Sequence, residues 1–383
     1  MKTIKDFDLK GKKVILRSDF NVSIKDGKII SNERITAELP TINYLTDNGA
    51  KVIIMSHLGK IKSEEDKKKN SLYIVYEELL KLLKTKVIFS SATNGSILEE
   101  KVSSLKNGEV LLMENTRYED LDGQKESKCD EGLSKYWASL GDIFINDAFG
   151  MTHRKHASNY GISKYLNNGI GLLIEKEVNG LKPILNPEAP FTIVMSGAKL
   201  EDKLALIKSL APKCSSLLLG GGIANTFLAV DHNIGASLAS TDLINEAEEM
   251  LSIYKERIIL PIDVKVDANV RLEIKNIDEI NDADIIYDIG PKTIQKYKEI
   301  ISTSKTIFLN GTVGKYELAG FEEGTKETLA AISKASGYAV IGGGDALSSA
   351  EYFKITGFDF VSTGGGATLN YIANKKMECF DEE

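Results

Sequence analysis

Cysteine is scarce in this sequence of 383 residues, which contains only three: Cys129, Cys214 and Cys379. They lie far apart and form no C-x-x-C pair. An odd number of dispersed cysteines argues against a disulfide framework and against a cysteine-based zinc site. It is typical of proteins that work in a reducing compartment.

Long apolar runs and an excess of positive charge are also absent. No apolar stretch reaches the length of a membrane helix, and residues 1–20 carry charges throughout, unlike a signal peptide. The net charge of −7 argues against a general nucleic-acid or membrane-surface binder. We therefore expect a cytoplasmic protein without nucleic-acid or membrane partners. Because no heptad pattern is present, a monomer is the default expectation.

Arginine accounts for only six of the 48 basic residues. Because lysine supplies plain positive charge elsewhere, a remaining arginine indicates a need for a planar, bidentate donor. Most arginines and histidines lie at strand ends or in loops of the N-terminal half: Arg17, Arg34, Arg117, Arg154, His57, His153 and His156. With no acidic run nearby, the pattern predicts a basic pocket for a small polyanion. For any single arginine, a structural ion pair is an equally good interpretation.

Eight short, β-branched apolar runs predict strands that are buried on both faces. They are Lys13–Leu16, Lys51–Met55, Glu109–Met113, Asp142–Ile145, Phe191–Met195, Ser215–Leu219, Lys305–Phe308 and Tyr338–Ile341. The segments between them are long enough for crossover helices. The predicted fold class is α/β, with two doubly wound parallel-sheet (Rossmann-like) domains joined by a hinge helix.

The junction is predicted from a helical pattern and a cluster of prolines. Leu172–Leu181 reads as an amphipathic helix that reaches Gly180, and three of the seven prolines follow between residues 183 and 190. We predict a first domain at residues 1–167 and a connecting helix with linker at 168–190. A second domain follows at 191–367, and the C-terminal segment 368–383 is expected to return toward the first domain.

Three Gly-Gly-Gly triplets follow strand-like runs in the C-terminal half, at Gly220–Gly222, Gly342–Gly344 and Gly364–Gly366. A glycine lets a phosphate approach the backbone and collect N–H bonds at a helix N-terminus. One triplet alone is better explained as a tight strand–helix turn, but three at the same kind of junction predict nucleotide-phosphate binding. Neither a P-loop nor the G-x-G-x-x-G dinucleotide motif is present.

Charged residues beside these triplets are candidates for the nucleotide and its metal ion. Asp345 is placed to hold Mg²⁺, although a helix cap explains it equally well alone. Lys199 and Lys203 lie four residues apart, which predicts one face of the start of a helix, and Glu317 is placed to take ribose hydroxyls. No activated nucleophile is found, and glycines, cations and one metal ligand are what direct phosphoryl transfer needs.

Motifs along nearly the whole chain resemble those of the phosphoglycerate kinase family. They run in family order from residue 17 to 367: RSDFNV, SHLG, ENTRY, NDAFGMTHRKHAS, GAKLEDK, GGGIANTF, DIGPKT, GGGD and STGGGA. The resemblance implies a two-domain hinge enzyme. It transfers a phosphoryl group in line between 1,3-bisphosphoglycerate and Mg-ADP, giving 3-phosphoglycerate and Mg-ATP, with Mg²⁺ held by Asp345.

The resemblance also implies which residues act. It assigns catalysis to Arg34, Lys199 and Lys203. It assigns substrate binding to Asp19, Phe20, Asn21, Arg34, His57, Leu58, Gly59, Lys60, Arg117 and Arg154. It assigns nucleotide binding to Lys199, Lys203, Gly221, Gly222, Asn310, Glu317, Gly343, Gly344, Asp345 and Ala346, and the migrating phosphoryl group to Gly364 and Gly365.

The chain departs from the family pattern at a few positions. Serine replaces the usual proline at Ser23 and the usual glycine at Ser196, and Lys60 stands where the family has arginine. Where the family usually has Trp-Asn-Gly-Pro, residues 309–312 are Leu-Asn-Gly-Thr. Ala346 replaces the usual threonine or serine and lacks a hydroxyl that would bond a phosphate. A non-catalytic binding protein on the same fold is therefore the main rival, and a nicotinamide-dependent dehydrogenase is a second.

Overall fold

The computed structural model describes residues 1–374 and 376–380, which form two compact units. The first runs from Met1 to Val178 and takes in the C-terminal segment that begins at Lys376, and the second begins at Asn179. The division falls within the segment 168–190 that the sequence marks as connecting, and the domain boundaries themselves stay a prediction. Among the described residues, no helix combines the length and the apolar character needed to cross a membrane.

The first unit contains a six-stranded parallel sheet and a small hairpin whose two strands have two residues each. Its strands are β1 (Lys13–Arg17), β2 (Ile24–Lys25), β3 (Lys28–Ile29), β4 (Lys51–Met55), β5 (Val87–Ser90), β6 (Val110–Met113), β7 (Ile143–Asn146) and β8 (Asn167–Ile170). The strand order in the sheet is β5-β6-β4-β1-β7-β8, and β2 pairs with β3. Its helices are α1 (Glu33–Asp47), α2 (Glu64–Lys69), α3 (Tyr73–Leu82), α4 (Ser96–Ser104) and α5 (Glu131–Ser139).

Alternate residues of the central strands enter two separate cores, one on each face of this sheet. On β1, Val14 and Leu16 pack with residues of α1 and α3, whereas Ile15 packs with residues of α4 and α5. A strand that buries both faces needs a continuous apolar run, which is the signal in KVIL. Helices therefore cover both faces, and the predicted doubly wound fold class is confirmed.

The second unit repeats this plan and adds a small antiparallel sheet. Its strands are β9 (Phe191–Ser196), β10 (Ser216–Gly220), β11 (Ile258–Ile259), β12 (Asp263–Ala268), β13 (Leu272–Asn276), β14 (Asp284–Ile289), β15 (Thr306–Asn310), β16 (Tyr338–Gly342) and β17 (Phe360–Ser362). Its parallel sheet has the order β11-β10-β9-β15-β16-β17, and its antiparallel sheet the order β13-β12-β14. Its helices are α7 (Leu204–Leu210), α8 (Gly221–Leu228), α9 (Ile244–Tyr254), α10 (Pro291–Ser302), α11 (Glu323–Lys334), α12 (Gly344–Tyr352) and α13 (Gly366–Asn374).

The connecting helix α6 (Leu172–Leu185) is longer than the sequence predicts. It continues through Gly180, so this glycine does not end the helix. A methyl group at Gly180 would overlap the ring of Phe360, so close packing explains the glycine. Its start is capped by Asp147, whose Oδ1 accepts the N–H of Ile174 at 2.9 Å. Residues 168–170, which the sequence assigns to the connecting segment, belong to β8 instead.

The C-terminal segment divides between the two units. Helix α13 belongs to the second unit, whereas residues 376–380 belong to the first. There the buried Cys379 donates its N–H to the carbonyl of Thr152 at 3.1 Å, and its sulfur lies 3.5 Å from the Asn146 amide. Residues 376–380 thus lie in the first unit and α13 in the second, and the expected return of the whole segment 368–383 stays a prediction.

Candidate active site

The residues predicted to bind the substrate lie at one edge of the first sheet, after β1, β4, β6 and β7, with Arg34 in α1. We call this set the first half-site: Asp19–Asn21, Arg34, His57–Lys60, Arg117 and Arg154. The loop after β1 is fixed by Phe20, which is fully buried and donates its N–H to Ser56 Oγ at 2.8 Å. Asn21 Oδ1 accepts the N–H of Gly59 at 2.8 Å, which ties the loops after β1 and β4 together.

Arg34 forms an ion pair with Asp19 at the start of α1. Its Nη1 lies 2.5 Å from Asp19 Oδ2, and the arginine side chain is 50% exposed while that of Asp19 is only 12% exposed. The pair leaves other guanidinium N–H groups open to a ligand, because arginine carries five donors.

Arg117 is buried and only partly paired. Its Nη1 lies 3.3 Å from Asp120 Oδ2 and 3.1 Å from Ser127 Oγ, while its Nε has no hydrogen-bond partner within the described residues. Its main-chain N–H donates to Asn115, which also holds Leu58 through both of its amide atoms. Arg117 thus has its own acidic neighbour and a spare donor.

Arg34, Lys60 and Arg154 are the exposed members of the first half-site. The Arg154 Nε donates to His153 Nε2 at 3.2 Å. Hydrogen bonds join Asp19 to Arg34 and to Asn21, and Asn21 to Gly59. The basic pocket predicted from the sequence contains more negative charge than expected. Asp19 pairs with Arg34, and Asp120 pairs with Arg117. The alternative interpretation, a structural ion pair, therefore applies in part to these two arginines.

His57 has a defined tautomer because of Arg17, a residue that the sequence placed in the basic pocket but not in the binding set. Arg17 is fully buried, and its Nη2 lies 3.3 Å from His57 Nδ1. Because a guanidinium only donates, Nδ1 accepts and the proton sits on Nε2. Burial and the charge of Arg17 hold the pKa of His57 well below its ordinary value, and burial lowers that of His156 to about 3. Both imidazoles are neutral at physiological pH.

Lys203 is the centre of the corresponding edge in the second unit. Its ammonium hydrogen-bonds to the carbonyl of Ser196 and lies 3.3 Å from the carbonyl of Asn310, at the ends of the neighbouring strands β9 and β15. Burial lowers the pKa of Lys203 to about 8, opposed by the charges of Asp345 and Asp202. Lys199 is exposed, and because α7 begins only at Leu204, the two lysines do not share a helix face. That inference from their spacing was wrong.

The three glycine triplets differ in what surrounds them. In the first, a methyl group on Gly221 would lie 2.9 Å from the Gly197 carbonyl, and one on Gly222 would overlap the Ala198 carbonyl. Close backbone packing therefore accounts for these two glycines. Around Gly344 in the second triplet and Gly365 in the third, a methyl group would meet nothing within 4 Å. These two triplets leave the open space that a ligand phosphate needs, while nucleotide contact at Gly221 and Gly222 stays a prediction.

The remaining candidates lie around these glycines. Asn310 is buried and donates its side-chain N–H to the carbonyl of Gly342 at 2.7 Å, so it holds the second triplet in place. Asp345 and Glu317 are exposed, and Ala346 is fully buried. Ser196 and Thr312, two residues that differ from the family pattern, are in direct contact: Ser196 Oγ donates to the carbonyl of Thr312 at 2.6 Å.

The pKa of Lys203 makes a pH dependence of nucleotide binding expected. Below pH 8 the ammonium is charged and attracts phosphate, and above pH 8 it becomes neutral in the free protein. The kcat/KM for ATP should therefore fall above about pH 8, approaching tenfold per pH unit, because kcat/KM reports ionisations of the free enzyme. A Lys203→Arg variant should lose this alkaline fall, whereas Lys199→Arg should keep it. A wild-type profile that stays flat to about pH 9.5 would contradict the assignment.

Comparisons with known proteins point to one family. Residues 4–375 match the family described as phosphoglycerate kinase. The chain is 44% identical to the phosphoglycerate kinase of Macrococcus caseolyticus, over 98% of this chain and 97% of that one. It is 43% identical to that of Lactobacillus gasseri, over 98% and 96%. The solved structure of phosphoglycerate kinase from Coxiella burnetii is similar with a TM-score of 0.89 and 34% identity, covering 99% and 97% of the two chains.

Proposed function

Because the chain belongs to the phosphoglycerate kinase family, we propose that its two units each hold one of the two substrates of that reaction. The reaction is the reversible glycolytic transfer of a phosphoryl group between 1,3-bisphosphoglycerate and ADP, which yields 3-phosphoglycerate and ATP. The chain is thus a phosphotransferase with a carboxyl group as acceptor, which removes the dehydrogenase alternative. We expect it to act as a monomer in the cytoplasm.

The first half-site receives 3-phosphoglycerate in this proposal. Asp19 and Asn21 bind its hydroxyl and carboxylate region, and Arg34, Arg117, Arg154, Lys60 and the Nε2–H of His57 bind its anionic groups. The free Nε of Arg117 supports this assignment, because a buried donor without a partner is unfavourable until a ligand supplies one. Arg34 is half exposed, and its remaining guanidinium donors are accessible to a ligand.

The second edge, which we call the second half-site, receives the nucleotide. It comprises Lys199, Lys203, the glycine triplets, Asn310, Glu317, Asp345 and Ala346. The open faces of Gly344 and Gly365 let phosphates approach the N-termini of α12 and α13. Lys203 and Lys199 bind phosphate oxygens, and the exposed Glu317 takes the ribose.

A magnesium ion accompanies the nucleotide in this proposal. The described residues contain no group of three or more His, Cys, Asp or Glu side chains that could hold a metal ion. Mg²⁺ often uses a single carboxylate together with substrate phosphates and water. The exposed Asp345, in the first turn of α12 beside Gly344, fits that role and would hold the ion. When bound, the ion neutralises charge on the phosphates.

The transfer step needs positioning and charge stabilisation more than covalent chemistry. The attacking oxygen and the phosphorus must approach to about 3–3.5 Å in line, so the two bound substrates have to be brought together during turnover. Arg34, Lys199 and Lys203 stabilise the charge that spreads over the equatorial oxygens.

The observation that carries the proposal is the environment of Lys203. The two hydrogen bonds that its ammonium makes within the described residues go to neutral carbonyls. Its positive charge is therefore not cancelled by a direct ion pair, and it stands close to Asn310, which holds the open second triplet. That is the electrostatic situation a phosphate-binding lysine requires.

A pair of binding titrations on full-length variants tests the assignment. Lys203→Ala should weaken ADP binding by at least about tenfold and leave the Kd of 3-phosphoglycerate unchanged, because one charged hydrogen bond is lost. Arg117→Ala should do the reverse. If Arg117→Ala weakens ADP binding instead, or if neither variant separates the two ligands, the assignment of substrates to half-sites is wrong.

A further inference from the structure

Glu38 is a buried carboxyl group that the phosphoryl-transfer chemistry does not use. It lies on α1, one helical turn after Arg34, and its side chain is fully buried. Its Oε1 accepts the N–H of Asp19 at 2.9 Å, while its Oε2 has no hydrogen-bond partner within the described residues. The Ser18 side chain lies near the same carboxyl and lowers its pKa, against the larger effect of burial. A carboxyl is an unfavourable group to place in a core unless it is hydrogen-bonded.

Residues 34 and 38 are four apart on one helix, so they project from the same face. Arg34 binds the side chain of Asp19, and Glu38 binds its main-chain N–H. Helix α1 therefore holds Asp19 at two points, which fixes both the position of its backbone and the direction of its carboxylate. Asp19 Oδ1 in turn accepts the N–H of Asn21 at 3.2 Å.

The same face of α1 is itself anchored one turn further on. The hydroxyl of Thr41 hydrogen-bonds to Asp147 and accepts the N–H of Leu172 at 3.0 Å, at the start of α6. Glu38 thus projects from a helix whose own placement is fixed against the end of β7. Because the helix is fixed, the hydrogen bond from the Asp19 N–H to Glu38 holds Asp19 in a defined position.

We propose that Glu38 is a positioning residue for the first half-site, and that it sets the backbone of Asp19 so that Asp19 and Asn21 meet 3-phosphoglycerate in the required geometry. The inference rests on the proposed binding of this substrate by Asp19 and Asn21. Arg17 and Asp19 at the end of β1 and Asp147 at the end of β7 are the charged groups that act on Glu38. Burial and the nearby Asp147 hold the pKa of Glu38 well above its ordinary value.

Two substitutions at this position separate positioning from structural support. Glu38→Gln keeps an oxygen acceptor for the Asp19 N–H, whereas Glu38→Met keeps the length and volume but has no acceptor. Glu38→Met leaves the buried Asp19 N–H without its acceptor, which should destabilise the folded state. The loss of one such hydrogen bond is smaller than the stability of a typical folded protein, so the methionine variant is expected to fold.

The experiment measures KM for 3-phosphoglycerate and for Mg-ATP, and kcat, on the full chain. Glu38→Met should raise the KM for 3-phosphoglycerate about tenfold and leave the KM for ATP within about twofold of wild type. Glu38→Gln should stay within about twofold for both substrates. As a stability control, Asp130→Ala removes the side chain that caps α5 and should change neither KM.

Two results would overturn the inference: a KM for 3-phosphoglycerate that does not change in Glu38→Met, or a glutamine variant as impaired as the methionine variant. An Asp19→Ala variant, run in parallel, separates this failure from that of the underlying proposal. If Asp19→Ala leaves the KM for 3-phosphoglycerate unchanged, the proposed half-site is wrong. If it raises that KM while Glu38→Met does not, only the role of Glu38 is lost.

Discussion

Replacing Arg34 with lysine should lower kcat by about a hundredfold or more, with a much smaller rise in the KM for 3-phosphoglycerate. The guanidinium already uses Nη1 for Asp19 and has further donors for the migrating phosphoryl group. A lysine has one ammonium and cannot hold the carboxylate and the equatorial oxygens in the same planar geometry. The loss should fall mainly on kcat, because charge on those oxygens spreads in the transition state.

Steady-state kinetics with 3-phosphoglycerate and Mg-ATP measure this effect. Arg257→Lys is the matched control, because it makes the same chemical change at an arginine outside both half-sites, whose guanidinium donates to the carbonyls of Ala211 and Pro212. It should leave kcat within about twofold of wild type. If Arg34→Lys instead raises the KM with kcat intact, Arg34 is only an anchor for the ground state.

Replacing Gly344 with alanine should raise the KM for ATP by about tenfold or more without lowering the melting temperature. The added methyl group meets no protein atom within 4 Å, and alanine is a better helix former than glycine, so the folded protein should keep or gain stability. In the proposed complex, that methyl group stands where the nucleotide phosphate approaches the backbone of α12. A steric clash there should act on nucleotide binding alone.

Gly222→Ala provides the contrasting case, and thermal unfolding distinguishes the two. Its methyl group would overlap the Ala198 carbonyl, so we expect a loss of stability of about 1–3 kcal/mol and a lower melting temperature. A Gly344→Ala variant that is destabilised but binds ATP normally would show that this triplet, like the first, serves backbone packing.

The sequence was most informative where one local signal decides one structural outcome. All eight predicted strands are found, because each is central enough in its sheet to need an apolar run such as KVIIM at β4. The small sheet of β12, β13 and β14 was missed for the opposite reason. Leu272 and Ile274 of β13 are exposed and alternate with charged residues, so no continuous apolar run marks that strand.

The site was harder to predict, because its geometry depends on contacts between distant parts of the chain. The three glycine triplets are identical in sequence, yet Gly221 and Gly222 pack against Gly197 and Ala198, whereas a methyl group on Gly344 or Gly365 would meet nothing within 4 Å. The same holds for Arg17 and Glu38, whose roles depend on partners 40 and 19 residues away. Residue type and spacing identified the half-site residues as candidates, but not how they support one another.

A ribosome making this chain completes the first unit last. The contacts of Cys379 with Thr152 and Asn146 cannot form until residue 379 has left the exit tunnel, when the whole second unit has already been synthesised. The six-stranded sheet of the first unit ends at Ile170 and can assemble early. Its surface at Thr152, however, stays open throughout the synthesis of the second unit. Nascent chains stalled before residue 376 should therefore carry a finished sheet with an unfilled site for Cys379.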